Sequence, residues 1–427
     1  MSSPDSPRSW RRIVIWAGLA LAVLVAAGAG AYLLLSGGDV SNPDVEFRSE
    51  PTETPQPAKP GQDTFTWPLY GYTPTRRHYL AASASLRPPF QTRWSWNAHS
   101  LLEFTPVIAE GKLFVIKNKG VVVAVDKRTG KVRWRRDLGK LAAAAPGYAG
   151  GRIYVTILAR NGSQNGLVAA LRAKDGARIW TKPLPARTES SPLVAGGSVY
   201  FGSEDGTVYA LRAQDGSVEW RFKAAGAVKG APALADGKLY FGDYSGRVYA
   251  IRQSNGKQVW SAATRNAHFG TAAGQFYASP AVAFGRVYIG NTDSNVYSFA
   301  ADSGKLAWRT GTGNYVYASA AVAQVPGGSP AVYVGSYDGR FYALDARSGK
   351  VRWKKNTNGR ISGAATVVGD IVYFGELKSR TTIGLGARTG RPVFRFKRGG
   401  FNPVVSDGRS LYLVGYSSLS ELTPKAP

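Results

Sequence analysis

Few residues in this chain have the types and spacing that catalysis requires. The 427-residue chain contains three histidines, His78, His99 and His268, whose positions match no metal-ligand spacing. It contains no cysteine, which excludes disulfide bonds, zinc–thiolate sites, Cys-x-x-Cys-His haem attachment and a lipoprotein cysteine. The sequence has neither a nucleophile elbow nor a glycine-rich phosphate loop. These residues therefore favour binding over catalysis.

The basic residues are more informative than the histidines. The formal net charge is +27, and all of the excess falls in residues 64–427. Arginine and lysine flank aromatic residues in several short segments, as around Trp134, Phe222 and Trp353. Such alternation places the rings on one face of a strand and the cations on the other. Cations on an outer strand block edge-to-edge pairing, and their excess also suggests contact with anionic lipid headgroups or wall polymers.

These residues are carried by short strands that form a repeat. Residues 191–223 contain four apolar runs of period 2, separated by Gly-Gly and Asp-Gly pairs, which is typical of an antiparallel meander. A motif Ala-x-Asp-x-x-Thr/Ser-Gly-Lys-x-x-Trp closes the unit at Trp134 and Trp353, and its aromatic recurs every 40 to 48 residues. That period is typical of a four-stranded propeller blade. The aromatics predicted to dock each blade on its neighbour are Trp134, Trp180, Trp220, Trp260, Trp308, Trp353 and Phe394.

The motif resembles that of the pyrroloquinoline-quinone-type β-propellers. This family includes quinoprotein dehydrogenases and the propeller lipoprotein of the outer-membrane β-barrel assembly machinery. The resemblance covers roughly residues 64–427 and implies an all-β propeller. For a dehydrogenase it would also imply Ca²⁺ bound by oxygen ligands, an aspartate base and, in many members, a vicinal disulfide. The disulfide is excluded here, and acids such as Asp175 and Asp205 lie in turns, so the non-catalytic relative is the better match.

The two ends of the repeat region complement each other. Residues 88–97 contain the aromatic of a fourth strand without three strands before it, whereas residues 401–422 contain up to three strands without a closing aromatic. Because a closed propeller leaves no long free edge, we predict that residues 92–97 pair with the last repeat. This gives about eight four-stranded blades, with seven blades and an irregular end as the alternative. Residues 65–86 are expected to pack over one propeller face.

The N-terminal region has the pattern of a membrane anchor. Residues 1–12 form a short basic tail, and the uncharged segment within residues 13–36 is long enough to cross a hydrocarbon core of about 30 Å. The positive-inside rule places the tail in the cytoplasm and the rest of the chain outside. We predict an uncleaved signal anchor with a transmembrane helix over residues 13–36; a cleaved signal peptide is the alternative. Residues 37–63, rich in proline and acids, are predicted to be a disordered linker to the propeller of residues 64–427.

The predicted function follows from these parts. Connections from one blade's outer strand to the next blade's inner strand should converge at one end of the propeller axis. The residues predicted to bind a partner there are Glu103, Glu189, Lys229, His268, Tyr277, Tyr317 and Arg360. We predict a non-catalytic, membrane-anchored binding or scaffolding protein of the cell envelope, without a cofactor, whose partners are envelope proteins or peptides. The alternative is a quinoprotein dehydrogenase that uses pyrroloquinoline quinone with calcium; nucleic acid is not an expected partner outside the cell.

Overall fold

The computed structural model describes residues 39–55, 64–264, 274–402 and 404–425. In these ranges the chain forms eight sheets that are the blades of a β-propeller, which confirms the predicted all-β fold. Within the same ranges, no helix is long and apolar enough to cross a membrane. The tail of residues 1–12 and the predicted membrane helix of residues 13–36 lie outside the described residues.

Each blade is an antiparallel meander whose first strand is innermost, since the first strands of neighbouring blades contact one another. Two short strands, β1 (Val40–Ser41) and β2 (Tyr79–Leu80), precede the blades together with β3 (Phe90–Asn97). Blade 1 contains β4 (Val107–Ala109), β5 (Lys112–Lys117), β6 (Val121–Asp126) and β7 (Val132–Asp137); blade 2 contains β8 (Gly147–Ala149), β9 (Arg152–Ile157), β10 (Leu167–Arg172) and β11 (Arg178–Pro183). Blade 3 contains β12 (Leu193–Ala195), β13 (Ser198–Gly202), β14 (Thr207–Arg212) and β15 (Val218–Lys223); blade 4 contains β16 (Ala233–Ala235), β17 (Lys238–Gly242), β18 (Arg247–Arg252) and β19 (Gln258–Ala263).

The remaining four blades continue this order. Blade 5 contains β20 (Ala281–Ala283), β21 (Arg286–Gly290), β22 (Asn295–Ala300) and β23 (Leu306–Gly311); blade 6 contains β24 (Ala321–Ala323), β25 (Ala331–Gly335), β26 (Arg340–Asp345) and β27 (Val351–Asn356). Blade 7 contains β28 (Thr366–Val368), β29 (Ile371–Glu376), β30 (Thr381–Gly386) and β31 (Pro392–Phe396), and β2 joins it in parallel beside β28. Blade 8 contains β32 (Val404–Ser406), β33 (Leu411–Val414), β34 (Ser418–Pro424) and β3.

Blade 8 is built from both ends of the repeat region, as the sequence predicts. Strand β3 pairs antiparallel with β34, from Phe90 opposite Pro424 to Asn97 opposite Ser418. The early strand therefore supplies the outermost position that the last repeat lacks. The propeller has eight blades, not the alternative seven.

Successive blades are joined through an aromatic ring on the outer strand. The Trp134 Nε1 donates a hydrogen bond to the carbonyl oxygen of Ala173 in blade 2 at 3.0 Å, and its ring covers Gly176. A Cβ at Gly176 would lie 2.6 Å from that ring, which explains the glycine in the motif. The same bond joins Trp94 to Lys127, Trp180 to Ala213, Trp220 to Gln253, Trp260 to Ala301, Trp308 to Ala346 and Trp353 to Ala387. Phe394 instead contacts Phe90 of blade 8 edge-on, with ring centroids 5.4 Å apart.

The lead-in segment of residues 64–80 runs across the inner strands. Its backbone carbonyls accept hydrogen bonds of 2.8 Å from backbone N–H groups of blades 2, 4, 5, 6 and 7. The donors are Tyr148, Leu234, Val282, Val322 and Val367. The guanidinium of Arg76, fully buried, donates to the carbonyl oxygens of Ser191 and Pro232 at 3.1 and 2.5 Å. The bonds to the segment's carbonyls satisfy inner-strand donors that have no neighbouring strand on the axis side, and they bind the segment to five blades.

Residues 41–53 of the predicted linker lie against the propeller rather than extending from it as a free spacer, and residues 56–63 lie outside the described residues. The fully buried Arg286 of β21 donates to the carbonyl oxygens of Pro43 and Val45 at 2.9 and 2.8 Å. Ion pairs join Arg347 to Asp44, Arg77 to Glu50 and Arg48 to Asp302. Composition predicts disorder here because it counts apolar surface, whereas these polar residues are held by fixed partners on the blades.

Candidate partner-binding site at the channel face

The predicted site residues lie at equivalent positions of the loops that connect one blade to the next. Five of them precede the first residue of an inner strand by four positions: Glu103, Glu189, Lys229, Tyr277 and Tyr317. Because the inner strands surround the axis, this spacing brings side chains far apart in sequence to one end of it. The site is therefore a product of blade geometry and not of a local motif.

These loops surround a cavity of about 300 Å³, the channel cavity, and the end of the propeller at which it opens is the channel face. Its lining includes five of the predicted residues: Glu103, Glu189, Lys229, Tyr277 and Tyr317. Arg360 lies beside the cavity, where its Cζ is 5.4 Å from the ring centroid of the lining residue Tyr337. The predicted residue His268 lies outside the described residues.

Lys229 is the centre of an ion-pair network on one wall of the cavity. Its Nζ lies 3.0 Å from Glu189 Oε1 and 3.0 Å from Glu204 Oε1. Burial alone would lower the pKa of the ammonium, but the two carboxylates outweigh that effect and raise its pKa. The second oxygen of Glu189 accepts a hydrogen bond from the Tyr277 hydroxyl at 3.0 Å. The lysine is thus held charged and fixed.

Tyrosine rings continue this network around the opening. The Lys229 Nζ lies 5.4 Å from the Tyr244 ring centroid, and Tyr244 contacts Tyr277 at 6.4 Å. Tyr277 and Tyr317 meet edge-on at 5.6 Å, and Tyr317 contacts Tyr337 at 4.8 Å. Burial, together with the nearby Glu189, raises the pKa of Tyr277, so its hydroxyl stays protonated and donates. The opening therefore presents rings and hydroxyls held by one another.

Glu103 lies in the same cavity but outside the ion-pair network. Burial, reinforced by repulsion from Glu189, raises the pKa of its carboxyl to about 7. At neutral pH this group lies between its protonated and ionised forms. The charge of Glu103 therefore changes across neutral pH.

Side chains that bond neighbouring loops make the cavity wall rigid. Four lining side chains accept hydrogen bonds from backbone N–H groups of adjacent loops. Ser191 accepts from Ala145 at 2.9 Å, Ser279 from Ala231 at 2.9 Å, Ser319 from Ser279 at 3.0 Å and Asn402 from Ala364 at 2.9 Å. Tyr70, a buried lining residue from the lead-in, donates its hydroxyl to Asn402 Oδ1 at 3.2 Å. The lead-in thus contributes to the wall that the connecting loops build.

The sequence analysis missed several residues of the site, among them the lining residues Tyr244 and Tyr337 and the Lys229 partner Glu204. Glu204, Tyr244 and Tyr337 come from the turns between the second and third strands of blades 3, 4 and 6. Each follows by two positions the glycine that ends its second strand: Gly202, Gly242 and Gly335. An alignment of the repeats on that glycine would have found them. Their turns reach the same opening as the connecting loops.

Two carboxylates of the site are not free to bind calcium, which takes six to eight oxygen ligands. Glu189 and Glu204 are both bound to Lys229, whose ammonium occupies the position where their charges converge. Among the described residues, no three histidine, cysteine or acidic side chains are grouped in a way that could hold a metal ion.

The cations of the outer strands lie on the circumference. On β15, Arg221 and Lys223 are exposed, whereas Trp220 and Phe222 are half-buried, as alternation predicts. Some of these cations bind acids of their own blade: Arg133 pairs with Asp126 and Arg352 pairs with Asp345. They are separate from the channel cavity, which none of them lines.

A model of the family described as outer membrane protein assembly factor BamB matches residues 91–162, 118–322 and 292–418 of this chain. Outer membrane protein assembly factor BamB from Escherichia coli is 31% identical over 102 residues, which is 24% of each chain. The matched segment therefore spans about a quarter of the length of that curated relative.

Solved structures with similar folds include a BamB and a dehydrogenase. The crystal structure of BamB from Moraxella catarrhalis covers 78% of this chain and 99% of its own, with a TM-score of 0.63 and 17% identity. A quinohemoprotein alcohol dehydrogenase from Pseudomonas putida HK5 covers 85% of this chain and 82% of its own, with a TM-score of 0.72 and 14% identity. At such identities these similarities concern the fold alone.

Proposed function

Because the chain belongs to the family of outer membrane protein assembly factor BamB, we propose that it is a non-catalytic binding or scaffolding protein of the cell envelope. Its partners are other envelope proteins or peptides, bound at the channel face. The observation that carries this proposal is the cavity itself, to which connecting loops of five blades contribute the same loop position. A rigid opening with fixed charges and rings suits selective recognition.

The proposal includes the location of the propeller. The basic tail and the uncharged segment of residues 13–36 support a single-pass anchor with the N-terminus in the cytoplasm and the propeller outside it. The circumferential cations then add affinity for anionic lipid headgroups or wall polymers. That contact is exposed and should weaken with salt, because charges are screened within about 8 Å at physiological ionic strength.

Partner capture from solubilised membranes tests the channel face. Tyr277→Ala combined with Tyr317→Ala should abolish capture of crosslinked envelope proteins while leaving salt-sensitive adsorption to anionic vesicles unchanged. The matched control, Tyr277→Phe with Tyr317→Phe, keeps both rings and should retain most capture if it melts like the wild type. If the alanine pair captures normally while charge reversal of Arg221, Arg352 and Arg395 abolishes capture, the binding face is the circumference.

The alternative function is a quinoprotein dehydrogenase, since the repeat motif of this chain also resembles that of quinoprotein dehydrogenases. Adding pyrroloquinoline quinone and Ca²⁺ to the purified protein distinguishes the two functions. The scaffold proposal expects neither a higher melting temperature nor dye-linked oxidation of alcohols or sugars. Oxidation above background would replace the proposal with the enzyme.

A further inference from the structure

Glu103 lines the channel cavity, and its carboxyl has no bonded partner among the residues that the structure describes. The backbone oxygen of Glu103 accepts a hydrogen bond from Asn402 Nδ2 at 2.7 Å, but its side chain makes no hydrogen bond or ion pair within the described part of the chain. A half-buried carboxylate without a counter-ion lowers the stability of the folded protein. Because Glu103 lies on the wall of an open cavity, a cation of another molecule can reach it.

Among the described residues, the nearby charges do not compensate Glu103. The described ionisable groups coupled to it are Glu189, Tyr70 and Tyr277, none of which is a cation. The cation of this wall, Lys229, is already shared between Glu189 and Glu204. An incoming positive charge would therefore meet one uncompensated carboxylate.

The rings around the cavity suit the same charge. Lys229 and Arg360 of this chain already lie over the Tyr244 and Tyr337 rings, each at 5.4 Å. Tyrosine faces attract ammonium and guanidinium groups, by an amount that grows as water is excluded. Tyr317, between those two ring–cation pairs, presents further aromatic surface to the cavity.

The size of the cavity limits what can enter. At about 300 Å³ it lies at the small end of ligand pockets, which run from ~300 to ~1,000 Å³. Such a volume accepts a side chain or a short segment, not a folded module. Resting on the proposed binding function, we propose that the cavity receives one basic side chain, arginine or lysine, of a partner protein, with Glu103 as its counter-ion and the tyrosine rings as its walls.

Binding of short blocked peptides to the full-length protein tests this assignment. The probes are acetyl-Gly-Arg-Gly-amide, its lysine analogue and its norleucine analogue, titrated by ligand-observed NMR at pH 8 and low salt. Either basic peptide should bind about fivefold or more tightly than the norleucine peptide, as expected for an ion pair with a cation–ring contact. Glu103→Gln should abolish this preference, whereas Glu219→Gln, on the outer strand β15, should keep it. The preference of the wild type should also shrink at pH 6, and that of Glu219→Gln should shrink with it.

Two results would overturn the assignment: equal binding of the norleucine and basic peptides, or an unchanged preference in a folded Glu103→Gln variant. Both are separable from failure of the proposed function. If the tyrosine pair is needed for partner capture but no basic peptide is preferred, the channel face binds a partner by other chemistry. If the basic peptides bind through Glu103 while capture is unaffected by the tyrosine pair, the cation site is real and the partner docks elsewhere.

Discussion

Replacing Glu103 with glutamine should make the propeller more stable above pH 7. Burial and the repulsion of Glu189 raise the pKa of this carboxyl from 4.5 to about 7 in the folded state. The folded protein therefore holds a proton that the unfolded chain has already lost between those pH values. Stability from this group is fully present below pH 4.5 and is lost as the pH rises through about 7. Glutamine carries no charge and removes that loss.

The size of the effect follows from the shift. Each pKa unit corresponds to about 1.4 kcal/mol, so the full shift is equivalent to about 3 kcal/mol. Because the cavity is open to solvent, which screens part of the repulsion, we expect a gain of ~1–3 kcal/mol for Glu103→Gln at pH 8. The gain should be near zero at pH 4.5.

Urea unfolding at pH 5, 6, 7 and 8 measures the difference between the wild type and Glu103→Gln. Glu219→Gln on the circumference is the control and should follow the wild type at every pH. Parallel stability curves for the wild type and Glu103→Gln, offset by a constant, would refute the reasoning. They would mean that Glu103 is ionised at pH 5 as readily in the folded as in the unfolded chain.

Three further predictions concern the scaffold. Trp220→Ala should cost ~3 kcal/mol in urea melts, at the low end for a core aromatic because the ring is half-buried, whereas Arg221→Ala should stay within about 0.5 kcal/mol; equal losses would mean that the two faces of β15 are assigned wrongly. Gly256→Ala should cost ~1–3 kcal/mol more in urea melts than Gly237→Ala. The two glycines have similar positive φ (68° and 67°), but a Cβ at Gly256 would lie 2.6 Å from the Trp220 ring, whereas one at Gly237 would have no described atom within 4 Å. Equal costs would mean that the ring contact adds nothing to the backbone strain that both substitutions cause. Arg286→Ala should increase tryptic cleavage at Arg48 by releasing residues 41–53, and unchanged cleavage would show that other contacts hold the segment.

The amino-acid sequence determined the repeat and therefore the architecture. The Gly-x-x-x-Trp spacing recurs because each ring must cover the glycine of the next blade, a contact such as that of Trp134 with Gly176. A contact repeated at a fixed period leaves a readable pattern, as does the incomplete repeat at each end that becomes blade 8. The same period also located the connecting loops, and hence the positions of Glu103, Lys229 and Tyr317.

Only the tertiary structure decided which charges meet. The sequence does not reveal that Lys229 is shared by Glu189 and Glu204, because Glu204 lies on a turn of another blade and reaches the opening only when the sheets surround the axis. It also does not reveal that residues 41–53 are held by Arg286, since composition describes a segment and not its partners. Periodic contacts between neighbouring blades can be predicted from the sequence. Single contacts between distant residues depend on the path of the whole chain, and these determine the charge of the site.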